Sequence, residues 1–173
     1  MIDKKSLKIH CKKEILQKMT PGIKSAKKAG IKYEILTYDH DPRTTAYGEE
    51  AAEKLGLDPE RVFKTLVAEV DGSTLVVCVI PVSRMLDLKM VAKTLKAKRA
   101  VMADKNNVQR TTGYVLGGVS PLGQKKRLQT LVDSSALDHE SILVSAGRRG
   151  MDIALAPRDL AKLTTGTFVD IAR

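Results

Sequence analysis

The strongest constraint on the fold is a pair of strand-length apolar runs, residues 62–70 and 74–82, near the middle of the chain. Both runs are rich in valine and other residues that favour β-structure. Asp71-Gly72 lies between them, and an Asp-Gly pair in this position is typical of the tight turn of an antiparallel hairpin. The sequence therefore predicts a β-hairpin over Val62–Val82, and we expect it to lie inside the main sheet.

Short helices and strands are predicted on both sides of this hairpin. Thr20 can cap a helix that has Pro21 at its first position and Gly30 after its end. Two further helices are predicted at 48–55 and from Asp87 to about residue 96, and a last one at 157–163. Strands are predicted at 33–38, 128–132, 142–145, 151–155 and 167–171. This mixture indicates an α+β fold with a mixed, curved sheet.

The chain of 173 residues has the length of one ordinary domain. Residues 1–18 contain six lysines against Asp3 and Glu14, a net charge of +4, and we interpret them as a basic N-terminal extension. Residues 19–173 then form the single folded domain. Its longest apolar stretch, 75–81, has the length of a strand, so no membrane association is predicted.

The net charge of +10 favours a polyanionic partner, of which nucleic acid is the commonest, although the charge would also serve solubility alone. Aromatic residues make up only 3% of the chain and tryptophan is absent, which argues against a platform that stacks single-stranded bases. The two cysteines, Cys11 and Cys78, are far apart in sequence and indicate a reducing, cytoplasmic location.

No familiar catalytic constellation is present in the sequence. The three histidines are scattered, neither cysteine belongs to a CxxC motif, and no phosphate-binding glycine motif occurs, so we predict no metal and no cofactor. Cys78 lies in an apolar strand and is expected to be a core thiol. Catalysis by this chain would therefore depend on positioning and electrostatics, or on a reactive group of the substrate.

Lys64 is the most informative single residue. If 62–70 is one strand, Lys64 shares a face with Val62, Leu66, Ala68 and Val70. A lysine on an apolar face is costly unless it meets an anion, a carboxylate or a water-filled pocket. The alternative is a lysine at the strand end whose ammonium reaches solvent.

Two glycine-rich segments are further candidates. In Gly117-Gly118-Val119-Ser120-Pro121, backbone N–H groups could approach a carbonyl or an oxyanion. In the segment 145–152, Arg148 and Arg149 could contact phosphates and Asp152 could hold a ligand amine. Each segment could instead be an ordinary turn with solvated charge.

These segments, in this order, resemble the YbaK family of bacterial cysteinyl-tRNA(Pro) deacylases. The resemblance covers Met19 to Arg173 and leaves 1–18 without a counterpart. The segments that carry it are Thr37-Tyr38-Asp39-His40-Asp41, Val62-Phe63-Lys64-Thr65-Leu66, Leu86-Asp87-Leu88-Lys89, Gln109-Arg110-Thr111-Thr112-Gly113-Tyr114, Gly117 to Lys126, and Gly147-Arg148-Arg149-Gly150-Met151-Asp152-Ile153.

The resemblance implies a mixed sheet that is partly closed like a barrel and surrounded by helices. It implies catalytic roles for Lys64 and for the backbone at Gly117 and Gly118. The substrate-binding positions that it implies are Tyr38, Tyr47, Ser120, Pro121, Ser145, Gly147 and Asp152, although the family has Phe where this chain has Tyr47. Contacts with tRNA are expected at Lys125, Lys126, Arg127, Arg148 and Arg149.

The implied activity is removal of cysteine from mischarged tRNA(Pro) by an enzyme acting in trans, alone or with prolyl-tRNA synthetase. In this chemistry the thiol of the substrate attacks its own ester, so no protein nucleophile is needed. Two alternatives remain open from the sequence. One is an alanyl-tRNA(Pro) deacylase that uses water, and the other is a non-catalytic module that binds tRNA or a synthetase.

Overall fold

The computed structural model describes residues 19–173, and the predicted basic extension at 1–18 lies outside the described residues. Within that range, helices α1–α5 span Pro21–Ala29, Tyr47–Leu55, Leu88–Thr94, Lys105–Thr112 and Pro157–Thr164. Strands β1–β8 span Tyr33–Thr37, Phe63–Val70, Thr74–Pro81, Ala100–Met102, Gln129–Asp133, Ile142–Arg148, Met151–Leu155 and Thr167–Val169. Short 3₁₀ turns occupy Pro59–Arg61 and Ser134–Asp138.

The central hairpin is confirmed. Strands β2 and β3 pair antiparallel from Phe63 opposite Pro81 to Val70 opposite Thr74. Asp71 and Gly72 both adopt positive φ values, 49° and 75°, which is the backbone conformation that the favoured hairpin turns require. Lys64 therefore lies on a β-strand of the main sheet, as its assignment to a strand face requires.

The strands form two sheets. The larger has the order β4-β2-β3-β5-β8 and is mixed, because β3, β5 and β8 run parallel while β2 pairs antiparallel with β3 and β4. The smaller is antiparallel, with the order β1-β7-β6. A parallel bridge between Val62 and Leu143 joins them. The predicted α+β fold with a mixed sheet is confirmed, and in the described residues the sheets do not close into a complete barrel.

Both faces of the larger sheet are buried. Phe63 and Val67 belong to the cluster that packs β2 and β3 against the smaller sheet, whereas Ala68 and Cys78 belong to a second cluster with Val91 of α3. Apolar residues therefore alternate onto two cores instead of onto one core and solvent. This arrangement places the first half of β2, residues 63–67, between the sheets, where a site for a ligand can form.

The predicted helix boundaries are largely confirmed. Thr20 accepts a hydrogen bond from the Ile23 N–H at 3.2 Å, and Asp87 accepts bonds from the first turn of α3. No element was predicted over 97–114, yet β4 and α4 lie there. Helix α4 buries only Val108 and Thr112, too few apolar residues to produce a helical stripe in the sequence.

Candidate active site

A cavity of about 680 Å³, here called the main cavity, is lined by residues from both sheets. Its walls come from the start of α2, from β2, from the loop after α4 and from the β6–β7 hairpin. The lining includes 45–49, 62–67, 102–103, 116–117, Tyr38, Lys105, Val108, Ser145, Arg148 and Asp152. A concave site with a few convergent polar groups in an apolar wall is the usual form of a small-molecule site.

The structure brings seven of the residues singled out from the sequence into this lining. They are Lys64, Gly117, Tyr38, Tyr47, Ser145, Asp152 and Arg148. Residues that are far apart in sequence thus meet around one space. Gly118, Ser120, Pro121 and Gly147 are placed outside the lining, as are Lys125, Lys126, Arg127 and Arg149.

Lys64 is half-buried in the wall formed by β2. Its Nζ donates to the carbonyl oxygen of Val82 at 3.2 Å. Four ion pairs form among the described residues, and Lys64 takes part in none of them. Its ammonium is therefore held at the cavity by a neutral acceptor, so it remains available to an anionic group of a ligand.

Asp152 supplies the opposite charge. The residue is 8% exposed, and its Oδ2 atom is buried without a hydrogen-bond partner among the described residues. Burial raises the pKa of this carboxyl from its usual 3.8 to about 7. Ser145 lies directly opposite Asp152 across the β6–β7 pair. An orphaned buried carboxylate facing a cavity is suited to binding a cation that enters it.

The β6–β7 pair changes register between Ser145 and Arg148, which produces a bulge at residues 146–147. A bulge re-aims the side chains that follow it. Here Ser145 and Arg148 both reach the main cavity, although they are separated by an odd number of positions. The bulge therefore allows one strand to supply both a hydroxyl and a guanidinium to the same wall.

Tyr47 is fixed from two sides. Gly117 has a φ of 80°, and a Cβ atom at this position would lie 2.6 Å from the Tyr47 ring, so the backbone approaches the ring as closely as only glycine allows. The guanidinium of Arg149 lies over the Tyr47 ring, 5.1 Å from the ring centroid. Arg149 Nε donates to the Leu116 carbonyl oxygen at 2.9 Å, which holds the stack together.

Behind Tyr47 lies a cluster of charged groups that the sequence analysis missed. Glu50 of α2 accepts a hydrogen bond from the Asp41 N–H at 2.7 Å and contacts His40 Nδ1 at 2.7 Å and Lys54 Nζ at 3.0 Å. Burial would raise the pKa of the Glu50 carboxyl, but these three partners together hold it below its usual value. The cluster ties α2 to the turn after β1 and so positions Tyr38 and Tyr47.

Thr65 is a second residue that the sequence analysis missed. It lines the main cavity, and its Oγ1 atom is buried without a partner among the described residues. No sequence pattern distinguishes it, because its neighbours Phe63 and Val67 on the same strand face are core residues. The lining therefore holds two orphaned oxygens, on Thr65 and Asp152, that a ligand can satisfy.

Residues placed outside the lining support its walls. The Gly118 N–H donates to the Val115 carbonyl at 3.0 Å, so this group is occupied by a turn, and Gly118 packs on the Arg148–Arg149 backbone. Ser120 is fully buried and accepts from the Leu122 N–H at 3.2 Å. Gly147 packs against the Tyr114 ring.

The remaining predicted positions lie farther away. Pro121 and Arg127 line a separate cavity of about 210 Å³, and the Arg127 guanidinium donates to the Leu163 carbonyl and to Thr165. Lys125 and Lys126 are exposed. The substrate-binding role of Pro121 and the tRNA-binding roles of Lys125, Lys126 and Arg127 stay predictions.

Among residues 19–173, the lining of the main cavity contains no histidine or cysteine, so its hydroxyl groups lack a neighbouring imidazole base. Cys78 is fully buried in the other core cluster, and burial raises its pKa to about 12, so it stays a protonated thiol. The described residues also contain no group of three or more potential metal ligands. None of the helices in this part of the chain has the length and apolar character needed to cross a membrane.

The chain is similar to a known domain family and to a known protein. Residues 40–163 match the aminoacyl-tRNA editing domain family. Over 123 residues the chain is 44% identical to "Putative Cys-tRNA(Pro)/Cys-tRNA(Cys) deacylase EbsC" of Enterococcus faecalis, covering 71% of this chain and 75% of that protein.

Two solved structures share the fold. One, "hypothetical protein APE2540", has a TM-score of 0.79 at 23% identity and is matched over 89% of this chain and 100% of its own. The other, "a putative trans-editing enzyme for prolyl tRNA synthetase", has a TM-score of 0.73 at 21% identity, over 88% and 92%. The match of the family model, together with the 44% identity to EbsC, shows that the chain belongs to the family of aminoacyl-tRNA editing domains, enzymes that deacylate mischarged tRNA.

Proposed function

We propose that this protein removes cysteine from mischarged tRNA(Pro) in trans, through attack of the cysteine thiol on its own ester. The observation that carries the proposal is a cavity with a lysine and an orphaned carboxylate but no histidine or cysteine in its described lining. Such a site can bind and bend an aminoacyl ester, and a thiol of the ligand can supply the nucleophile. The similarity to EbsC supports the same substrate class.

Asp152 would bind the α-ammonium group of the substrate. The carboxylate is buried and unpartnered at Oδ2, so a cation placed there regains the stabilisation that the carboxylate loses on leaving water. This contact fixes one end of the amino acid. The Thr65 hydroxyl, also unpartnered, lies in the same lining and can contact the ester or the side chain.

Lys64 would lie at the ribose of the terminal adenosine, beside the ester oxygen that leaves. The Gly117 N–H is the backbone donor left to polarise the ester carbonyl, because the Gly118 N–H is bonded to Val115. With both ends of the substrate fixed, the thiol and the carbonyl carbon are held at attack distance. Such positioning contributes several kcal/mol to rate acceleration.

The chemical step needs no external reactant until the last stage. The cysteine sulfur forms a bond to the ester carbonyl carbon, the bond from that carbon to the tRNA ribose oxygen breaks, and the thiol proton passes to the departing oxygen. A cysteine thiolactone is released, which water hydrolyses to free cysteine. Amino acids without a thiol cannot follow this route, which makes the chemistry itself a source of specificity.

A second candidate is hydrolysis of alanyl-tRNA(Pro) by water. It is favoured by the pKa of about 7 at Asp152, because a carboxyl with a pKa near the working pH is suited to act as a general base. In that case Asp152 would activate water instead of binding the ammonium group. The two candidates differ in their need for a substrate thiol.

The decisive experiment compares cysteinyl-, serinyl- and alanyl-tRNA(Pro) as substrates of the purified full chain. The thiol route predicts rapid loss of cysteine, and rates for serine and alanine that are lower by about 100-fold or more, because an alcohol is a far weaker nucleophile than a partly ionised thiol. Equal rates for cysteine and serine would instead establish the water route. Tight tRNA binding without any hydrolysis would identify a non-catalytic module.

Substitution of Lys64 tests the pocket assignment. We expect Lys64→Ala to lower kcat/KM on the order of 100-fold, because a charge at the reacting ester is lost, with no loss of the folded state in a thermal melt. Lys89→Ala removes an exposed lysine of α3 outside the lining and serves as the matched control. A fully active Lys64→Ala protein would show that the main cavity is not the deacylation site.

A further inference from the structure

A second cavity, here called the arginine cavity, adjoins the main cavity. It has a volume of about 360 Å³ and is lined by residues 37–40 and 148–151. Two of its residues, Tyr38 and Arg148, also line the main cavity. A ligand that fills the main cavity and extends past Tyr38 and Arg148 would therefore enter the arginine cavity.

The arginine cavity carries an excess of positive charge. Arg148 and Arg149 are both exposed in it, against a single exposed carboxylate, that of Asp39. Neither arginine takes part in the four ion pairs of the described residues. Guanidinium groups that are not neutralised by carboxylates are the usual partners of phosphodiesters.

The cavity wall also contains a polar atom that lacks a partner. His40 Nδ1 is bonded to Glu50 at 2.7 Å, but His40 Nε2 is buried without a partner among the described residues. Three side-chain atoms of residues 19–173 are in this condition, on His40, Thr65 and Asp152, and all three residues line one of these two cavities. Buried atoms of this kind are rare in folded proteins, and their concentration here indicates a single extended ligand.

The covalent structure of an aminoacyl-tRNA explains two adjoining cavities. The amino acid is esterified to the terminal adenosine, and a phosphodiester joins that adenosine to the preceding cytidine of the CCA end. If the aminoacyl ester lies in the main cavity, the phosphodiester and the cytidine must lie next to it. Lys105 offers another positive group in the main lining, but the cavities at 121–130 and at 70–74 share no lining residue with the main cavity.

We propose that the arginine cavity binds the nucleotide that precedes the terminal adenosine, with the connecting phosphodiester at Arg148 and Arg149. The inference rests on the protein's action on an aminoacyl-tRNA, but not on which amino acid is removed. In this arrangement Arg148 marks the boundary between the two cavities. The β6 bulge that precedes Arg148 thereby sets the path of the RNA strand as well as the wall of the main cavity.

The test compares the affinities of the dinucleotide CpA and of adenosine for the full chain, by titration monitored with NMR. The wild-type protein should bind CpA about tenfold more tightly than adenosine, the effect of charge-assisted contacts to one phosphodiester. The double variant Arg148→Gln/Arg149→Gln should reduce this ratio to about one. Arg158→Gln removes an exposed arginine of α5 that lines neither cavity, and it should leave the ratio unchanged.

His40→Asn provides a second variant, because loss of Arg149 also releases its contacts with Tyr47 and Leu116. The asparagine amide can occupy the place of Nδ1 and keep the bond to Glu50, while Nε2 is removed. We expect the CpA-to-adenosine ratio to fall by a smaller factor of about three. A ratio near one in the wild-type protein, or a ratio that persists in the folded double arginine variant, would overturn the proposal.

The outcome of the CpA titration does not depend on which amino acid the protein removes from tRNA. A protein that fails to distinguish cysteinyl- from serinyl-tRNA(Pro) but shows the arginine-dependent preference for CpA would refute the thiol route and support the nucleotide subsite. The reverse outcome, cysteine-specific deacylation without a preference for CpA, would refute the subsite alone.

Discussion

Asp133 and Asp152 are both buried carboxylates on strands, but their surroundings differ. Asp133 ends β5 and is 3% exposed. Its carboxylate accepts hydrogen bonds from the N–H and the hydroxyl of Ser135. It also accepts from the N–H groups of Ile171 and Ala172, at 3.0 and 2.8 Å. Asp152, 8% exposed, has an orphaned oxygen at the main cavity.

The two pKa values move in opposite directions for this reason. Burial would raise the pKa of the Asp133 carboxyl, but the bonds from Ser135, Ile171 and Ala172 hold it below its usual range. At Asp152 burial acts without compensation, and the pKa rises to about 7. The Asp133 carboxylate holds residues 171–172 against the sheet. The Asp152 carboxylate destabilises the free protein and can bind a cation.

The largest expected effect is on activity. Asp152→Asn should lower kcat/KM on the order of 1000-fold, because the substrate ammonium group would be buried without its counter-charge. Deacylation of cysteinyl-tRNA(Pro) measures this, with Asp138→Asn, an exposed position outside the main cavity, as the control. If Asp152→Asn retained most of its activity, the two carboxylates would no longer differ in role.

The dependence of stability on pH should separate the two sites next. The folded-state pKa of Asp152 lies above its unfolded value, so folding takes up a proton between about pH 4 and 7 and the stability contributed by this group falls as pH rises through that window. Relative to wild type, Asp152→Asn should therefore gain stability on the order of 4 kcal/mol between pH 4 and 8.

Asp133 should behave with the opposite sign, because its folded-state pKa is lowered. Its contribution is present above the unfolded pKa near 4 and is lost as the solution is acidified below it. Urea unfolding of Asp152→Asn, of Asp133→Ala and of the wild type across pH 3 to 8 measures both pH dependences of stability. A flat difference between Asp152→Asn and wild type would mean that Asp152 is solvated in the free protein.

Asp133→Ala should destabilise the fold by about 2–3 kcal/mol at neutral pH, because the Ile171 and Ala172 N–H groups lose their acceptor. The remaining folded protein should keep its kcat/KM, since Asp133 is not part of the main cavity lining. Asp138→Ala, at an exposed position nearby, should change stability little. Loss of activity in a fully folded Asp133→Ala protein would contradict a purely structural role.

The smallest effect is expected at Cys78, a third buried titratable group. Cys78→Ala should cost about 1 kcal/mol of stability through lost packing and leave deacylation unchanged, because the attacking thiol belongs to the substrate. Thermal melts and single-turnover rates measure the two quantities. A folded but inactive Cys78→Ala protein would identify a protein thiol as the nucleophile and end the substrate-assisted scheme.

Much of the fold follows from local signals in the sequence. The Asp-Gly turn, the Thr20 and Asp87 caps and the strand at 151–155 depend on neighbouring residues, and all of them appear in the structure. Helix α4 and strand β4 were missed because α4 is mostly solvated and β4 has only three residues. Tertiary pairing, and not local preference, holds them in place.

The sequence predicts those site residues whose polar side chains interrupt a hydrophobic pattern. Lys64 interrupts an apolar strand face and so attracts attention, whereas Thr65 fits its strand and does not. The orphaned state of Asp152 depends on the register of β6 and β7 and on the bulge at 146–147, which no sequence pattern specifies. The Glu50–His40 contact joins a helix to a turn through tertiary packing and is likewise absent from any local signal.

The packing of Tyr47 has a consequence for the evolution of specificity. The ring lies between the main chain at Gly117 and the Arg149 guanidinium, so one wall of the main cavity is positioned in part by the backbone. The Tyr47 ring therefore limits the width of the cavity at this wall. To admit a bulkier amino acid, evolution would have to change the loop at Gly117. Exchange of Tyr47 for Phe would keep the width of the cavity and remove only a hydroxyl.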